Sequence, residues 1–173
     1  MPIATANQTI GPYWHLLEEK SWADATRFGA EGARITVSGR ITDGAGAPVT
    51  DACVEIWQSD PPASESFPGF ARAATDGDGV FRLVTLKPGP VRGRGNAVQA
   101  PHLAIAIFAR GLLKHLVTRL YFAGETLNES DPLLGAIEDP ARRATLVAAS
   151  DGPGAWRLDI RLQGAAETVF LDV

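Results

Sequence analysis

Cysteine is almost absent from this sequence. Of 173 residues only Cys53 carries a thiol, so no intramolecular disulfide is possible. A single cysteine within a β-rich run reads as a small buried hydrophobe. Metal donors are also few: three histidines (His15, His102, His115) and two tyrosines (Tyr13, Tyr121). No apolar run approaches the roughly 18 residues that a membrane-spanning helix needs. Positive charge is not in excess either. Sixteen Lys and Arg face twenty Asp and Glu, for a net charge of -4. No basic stripe is available to neutralise phosphates, and no polybasic anchor for a membrane. The first residues lack a basic region followed by an apolar stretch, so no signal peptide is expected and the cytoplasm is the expected compartment.

Familiar catalytic patterns are missing as well. There is no Gly-x-Ser-x-Gly elbow and no Gly-x-x-x-x-Gly-Lys loop. Gly93-Arg-Gly-Asn is glycine-rich but does not open a helix. Asp76-Gly-Asp-Gly lacks the later ligands of a calcium loop and reads as a hairpin turn. His115 and Tyr121 lie on one strand, about 20 Å apart at ~3.3 Å per residue, so they cannot share an ion. No His-x-His pair exists, and Ala104 stands two residues after His102. A lone histidine at a strand entrance reads as a hydrogen-bonded structural residue. These absences imply that any chemistry is completed by a partner chain.

What is present is strand signal. Ile35, Val37 and Ile41 alternate with polar neighbours, and Ala52–Gln58 and Val80–Thr85 are further β-rich runs. Leu103–Phe108 is nearly continuous in apolar residues, which predicts a central strand covered on both faces. His115–Phe122, Trp156–Leu162 and Thr168–Val173 follow. Asp139 before Pro140 predicts a capped short helix around 140–146. Residues 1–32 and the Pro- and Ser-rich stretch Ser59–Gly69 read as irregular. The expectation is a single all-β domain over 1–173, a β-sandwich of about eight strands with one short helix. Residues 1–32 would form its N-terminal interface arm.

Several segments then resemble one family. Gln8-Thr9-Ile10-Gly11-Pro12-Tyr13, Val54-Glu55-Ile56-Trp57-Gln58 and Leu86-Lys87-Pro88-Gly89-Pro90 are similar to intradiol ring-cleavage dioxygenases. Ala100-Pro101-His102, Phe108-Ala109-Arg110-Gly111 and Thr118-Arg119-Leu120-Tyr121-Phe122 narrow the likeness. So do Asp159-Ile-Arg-Leu-Gln-Gly164 and Glu167-Thr-Val-Phe170. They resemble the alpha-type subunit of the family's two-subunit members, which cleave 3,4-dihydroxybenzoate. In such enzymes the beta subunit holds Fe(III) with two tyrosinates and two histidines. Carried onto this chain, the histidine positions fall on His102 and Ala104. One tyrosine position falls on Val91, and the other belongs to the loop Asp60–Phe67, which has no Tyr. A substrate-polarising arginine falls on Gln99.

The resemblance therefore implies a degenerate copy of the catalytic subunit. No catalytic residue would lie in this chain, His102 would be a relic ligand position, and the iron would belong to a beta-subunit partner in alpha-beta protomers of a larger oligomer. Substrate-facing residues implied for this chain are Arg110, Thr9, Gly11, Pro12 and Tyr13. Arg110 would attract the substrate carboxylate, and the arm would wall the pocket or only pair with the partner. Trp14 and Trp57 read as core or interface aromatics. Two rivals remain open. One is a non-catalytic β-sandwich binding module, which exposed aromatic platforms would favour. The other is a self-sufficient single-chain enzyme, which the missing ligands oppose.

Overall fold

The computed structural model of the chain describes residues 9–11 and 13–172. Alternation in Arg34–Thr42 (β1) turns Ile35, Val37 and Ile41 inward. On one edge β1 pairs antiparallel with Val80–Leu86 (β4). On its other edge it pairs in parallel with two late segments, Ala155–Arg157 (β10) and Ile160–Arg161 (β11). A second run of antiparallel pairs joins Cys53–Trp57 (β2) to Phe70–Ala74 (β3) and to His102–Phe108 (β7), then β7 to Leu116–Phe122 (β8). Val147–Ser150 (β9) links the two halves. Val147 and Ala148 pair in parallel with Tyr121 and Phe122, while Ala149 and Ser150 pair with Arg157 and Trp156. The core between the halves includes Val37, Ile41, Phe81 and Leu83 from one and Val54, Ile56, Ile105, Ile107 and Leu120 from the other. This is the expected β-sandwich, its sheet curled so that one strand serves both layers.

The late segment Trp156–Leu162 keeps its alternation but breaks as a strand at Leu158 and Asp159. There the Leu158 N–H still donates to Ser38 O (2.9 Å), while Arg40 N–H takes the Asp159 carboxylate (2.9 Å) in place of a backbone partner. The Leu158 carbonyl consequently crowds β1. A Cβ at Gly39 would stand 1.8 Å from Leu158 O and 2.9 Å from the Phe81 ring. Gly39→Ala is expected to destabilise the fold by about 2–3 kcal/mol, because neither a backbone carbonyl nor a fully buried ring can retreat. Urea unfolding reads it, and a loss under about 0.5 kcal/mol would show that β1 moves freely here.

Three expectations change in detail. The Asp76-Gly-Asp-Gly turn forms, with Asp76 Oδ1 accepting from the N–H groups of Asp78 and Val80 (both 2.9 Å). It does not make a hairpin, because Gly79 O accepts from Ile41 N–H (2.8 Å) and commits β4 to β1 while β3 pairs with β2. β7 is central, between β2 and β8, but only its inward side chains Leu103, Ile105 and Ile107 are buried. His102, Ala104, Ala106 and Phe108 on the outward face are half-buried. Of the closing run, Leu171 bridges to Val117 without a longer ladder.

The helix expected near 140 is Pro140–Ala144 (α2 in chain order), capped by Asp139 through Ala141 N–H. Pro132–Ala136 (α1) precedes it, built the same way on Asp131. Among the described residues of the arm only Trp14–Leu16 and Lys20–Ala23 are regular, as short 3₁₀ turns. Two further short strands, Val91–Arg92 (β5) and Val98–Gln99 (β6), form a small hairpin around the glycine-rich Gly93–Asn96. Among the described residues no helix is long and apolar enough to cross a membrane.

Candidate functional site

β7 ends at Phe108 and the chain turns over Ala109–Leu112, where Leu112 N–H donates to Ala109 O (3.2 Å). Gly111 takes φ +84°, a conformation that strains an L side chain. The turn leaves the Arg110 side chain 64% exposed, with its Nε paired to the Asp51 carboxylate. Two bonds bring the arm to the same place. The Thr9 hydroxyl donates to Ala109 O (3.2 Å), and the Trp14 indole N–H donates to Asp51 O (3.2 Å). Gly11, Trp14, Glu18, Thr50, Asp51 and Arg110 line a cleft of about 490 Å³. Three of the residues expected to face substrate thus converge: Gly11 and Arg110 line the cleft, and Thr9 is pinned to the residue before Arg110. Tyr13 does not line it and is 71% exposed. Pro12 lies outside the described residues.

The positions matched to iron ligands cluster elsewhere. His102 opens β7, and the six steps from it to Phe108 span about 20 Å, so they lie far from Arg110. Val91 pairs with Gln99 across the β5–β6 hairpin. His102 pairs with Tyr121, and Ala104 with Arg119, across the β7–β8 ladder. The space is organised around a guanidinium. Arg119 Nη1 donates to Gln99 Oε1 (2.7 Å) and to the Tyr121 hydroxyl (3.2 Å). That hydroxyl donates to Asp131 Oδ1 (3.0 Å), and Asp131 Oδ2 accepts from Ala100 N–H (2.8 Å). His102 Nδ1 lies 2.8 Å from Ala100 O.

Ferric iron favours anionic oxygen and imidazole donors, and these residues do not fit it. Val91 and Ala104 offer no donor atom, and Gln99 is engaged by Arg119. Burial pushes the Tyr121 phenol strongly up, past the opposing pull of Arg119, and its hydroxyl is already committed to Asp131. Burial likewise holds His102 below the usual imidazole range, opposed by its bond to Ala100 and reinforced by Arg119. Among the described residues no group of three or more His, Cys, Asp or Glu side chains could hold an ion.

Between the arm and the outward face of β2 and β7 lies a second cleft of about 380 Å³, walled by Trp14, Leu17, Trp22 and Phe108. Cys53 borders it but is 2% exposed, and burial pushes its thiol up to about 12, so it behaves as the expected inert hydrophobe. Trp57 is 52% exposed and leans on Phe70, with ring centroids 4.4 Å apart. Tyr121 is fully buried and gives no platform. His115 stacks on Phe108. Asp51 and the Arg119–Tyr121–Asp131 network were not foreseen from sequence. Asp51 sits in a turn, and its partner is 59 positions away.

Comparison with known proteins gives this geometry a context. A family described as "Dioxygenase" matches residues 11–164. The protocatechuate 3,4-dioxygenase alpha chain of Pseudomonas putida is 39% identical over 97% of this chain and 96% of its own length. The beta chain of the Burkholderia cepacia enzyme is 30% identical over 93% of this chain and 76% of its own. Among solved structures, the dioxygenase domain of a carbohydrate-binding fusion protein from Streptomyces sp. SirexAA-E superposes with a TM-score of 0.64 at 29% identity, covering 92% of this chain and 97% of that one. The chain therefore belongs to the intradiol dioxygenase family, as a homologue of its protocatechuate 3,4-dioxygenase alpha chains.

Proposed function

We propose that this chain is the subunit without iron of an enzyme that cleaves 3,4-dihydroxybenzoate between its two hydroxylated carbons. Both atoms of O2 enter the product, 3-carboxy-cis,cis-muconate. Fe(III) belongs to a homologous beta-type partner, and the two chains form protomers of a larger cytoplasmic assembly. The observation that carries this reading is the separation of two features in one chain. Positions matched to iron ligands hold a donor-poor, guanidinium-centred network, while about 20 Å along β7 an arginine and the arm line an open, charged cleft.

In this reading the chain's own work is binding and orientation. Arg110 attracts the substrate carboxylate and fixes it through paired N–H groups, and Gly11 walls the pocket while Thr9 pins the arm beside Arg110. Residues 1–32 act as the interface arm of a single domain over 1–173. The exposed apolar row Tyr13, Leu16 and Leu17, at 71%, 69% and 78%, supports that role. The iron itself supplies ring activation when bound in the partner, and no residue here takes part in that step.

The test is Arg110→Ala in the assembled enzyme. KM for 3,4-dihydroxybenzoate should rise about tenfold or more with assembly and thermal unfolding intact, the scale of a lost charge-assisted contact. Unchanged kinetics would reduce Arg110 to a surface residue.

A further inference from the structure

We propose that Asp51 is a positioning residue, which holds the Arg110 guanidinium so that its outer N–H pair faces the carboxylate of an aromatic acid. The proposal rests on the reading of Arg110 as the carboxylate anchor.

The placement follows from strand register. β2 and β7 run antiparallel with Cys53 opposite Phe108. Two steps beyond the ladder, the same register sets Asp51 opposite Arg110. Arginine is a long side chain with four flexible torsions, and an exposed one spreads over many rotamers. Here Asp51 takes the Nε edge of the guanidinium. That leaves the two terminal nitrogens, the end of the planar fork that matches a carboxylate, and among the described residues neither has a hydrogen-bond partner. The Asp51 carboxylate is only 27% exposed, so it is less screened than an ordinary surface charge. Its backbone carbonyl receives the Trp14 indole, so the residue that aims Arg110 also tethers the arm walling the same cleft. A side-chain substitution at 51 leaves that second tie in place.

Asp51 also carries negative charge beside a site for an anion, which costs long-range attraction. Fixing the fork outweighs this, because Arg110 paired through Nε still presents a full bidentate edge, whereas a wandering guanidinium loses orientational freedom with each binding event.

The experiment compares Asp51→Asn, Asp51→Glu and Arg110→Ala in the assembled enzyme. It measures kcat and KM, and anaerobic calorimetric binding of 3,4-dihydroxybenzoate and of catechol, which has no carboxylate. Asp51→Asn should raise KM and weaken acid binding by about five- to tenfold with kcat within about twofold, while catechol binding stays within about twofold. Asp51→Glu should recover at least half of that loss on a logarithmic scale. An Asp51→Asn enzyme whose KM is unchanged or lowered, beside an Arg110→Ala enzyme whose KM is raised, overturns the positioning role and leaves the carboxylate anchor standing. Equal losses for the acid and for catechol also overturn it, since they mark a structural defect. If Arg110→Ala itself is without effect, the anchor falls and this proposal with it.

Discussion

Purified by itself, this chain will be colourless and will not consume O2 with 3,4-dihydroxybenzoate, and the assembled enzyme will hold one iron per pair of chains. The argument is about donors. At the positions matched to iron ligands Val91 and Ala104 are hydrocarbon, and the loop Asp60–Phe67 has no Tyr; the neighbouring Gln99 accepts from Arg119. Tyr121 is near, but its hydroxyl is donated to Asp131 and its ionisation is suppressed by burial. Only His102 retains a nitrogen free of the Ala100 carbonyl, and one imidazole does not hold ferric iron. The guanidinium of Arg119 adds repulsion, since it already supplies the local positive charge. Restoring donors by Val91→Tyr with Ala104→His should therefore leave the chain iron-free, because position 104 faces Arg119 across the ladder. Metal analysis and the visible spectrum decide the matter. An isolated wild-type chain with a tyrosinate-to-iron absorption band and turnover would sink the reading, and activity that appears only on co-expression with the iron-binding chain would carry it.

The sequence makes some of this legible and hides the rest for definable reasons. Alternation finds β1 because Ile35, Val37 and Ile41 face the core and Arg34 and Arg40 face outward, while β-rich composition finds β4 and β8. It overstates β7: alanines at 104 and 106 read as core, whereas in the chain they cover a half-open outer face. It also misses the break between β10 and β11, since Trp156, Leu158 and Ile160 keep period two through it while the backbone diverts at Leu158. β5 and β6 are two residues each, too short for any periodicity. Asp139-Pro140 announces α2, and Asp131-Pro132 is the same local signal for α1. At the site, Thr9, Gly11 and Arg110 are reached through short motifs that resemble a family. Asp51 is beyond such reasoning, because only the β2–β7 register brings it beside Arg110. The interface role proposed for the arm is likewise beyond one chain's alternation, which reports burial but not what covers an exposed row.

Asp131→Ala should be among the most destabilising single changes in the chain, at about 4 kcal/mol, which lowers the thermal midpoint by about 8–16 °C for a protein of this size. Asp131 is 1% exposed and fully committed. Oδ1 caps α1 by accepting from Leu133 N–H (2.9 Å) and Leu134 N–H (3.1 Å), and it also takes the Tyr121 hydroxyl. Oδ2 takes Ala100 N–H. Alanine removes all of these acceptors at once. A lost cap costs about 1 kcal/mol. Ala100 and Tyr121 are both fully buried, so their donors have no water to turn to, and each costs about 1–3 kcal/mol. The parts are not additive, which is why the expected total sits below their upper sum.

Asp131→Asn separates the two oxygens. With its carbonyl on the Oδ1 side the cap and the Tyr121 bond survive, but the amide then points a donor at Ala100 N–H, so about half the loss should remain. Tyr121→Phe should cost only about 1 kcal/mol, since it deletes donor and hydroxyl together. An ordering in which Tyr121→Phe matches Asp131→Ala would mean that the phenol, not the carboxylate, holds the network. The network also reaches Gln99 through Arg119, so Asp131→Ala should loosen the β5–β6 hairpin first, read as faster amide exchange at Gln99 and Ala100 than in β1.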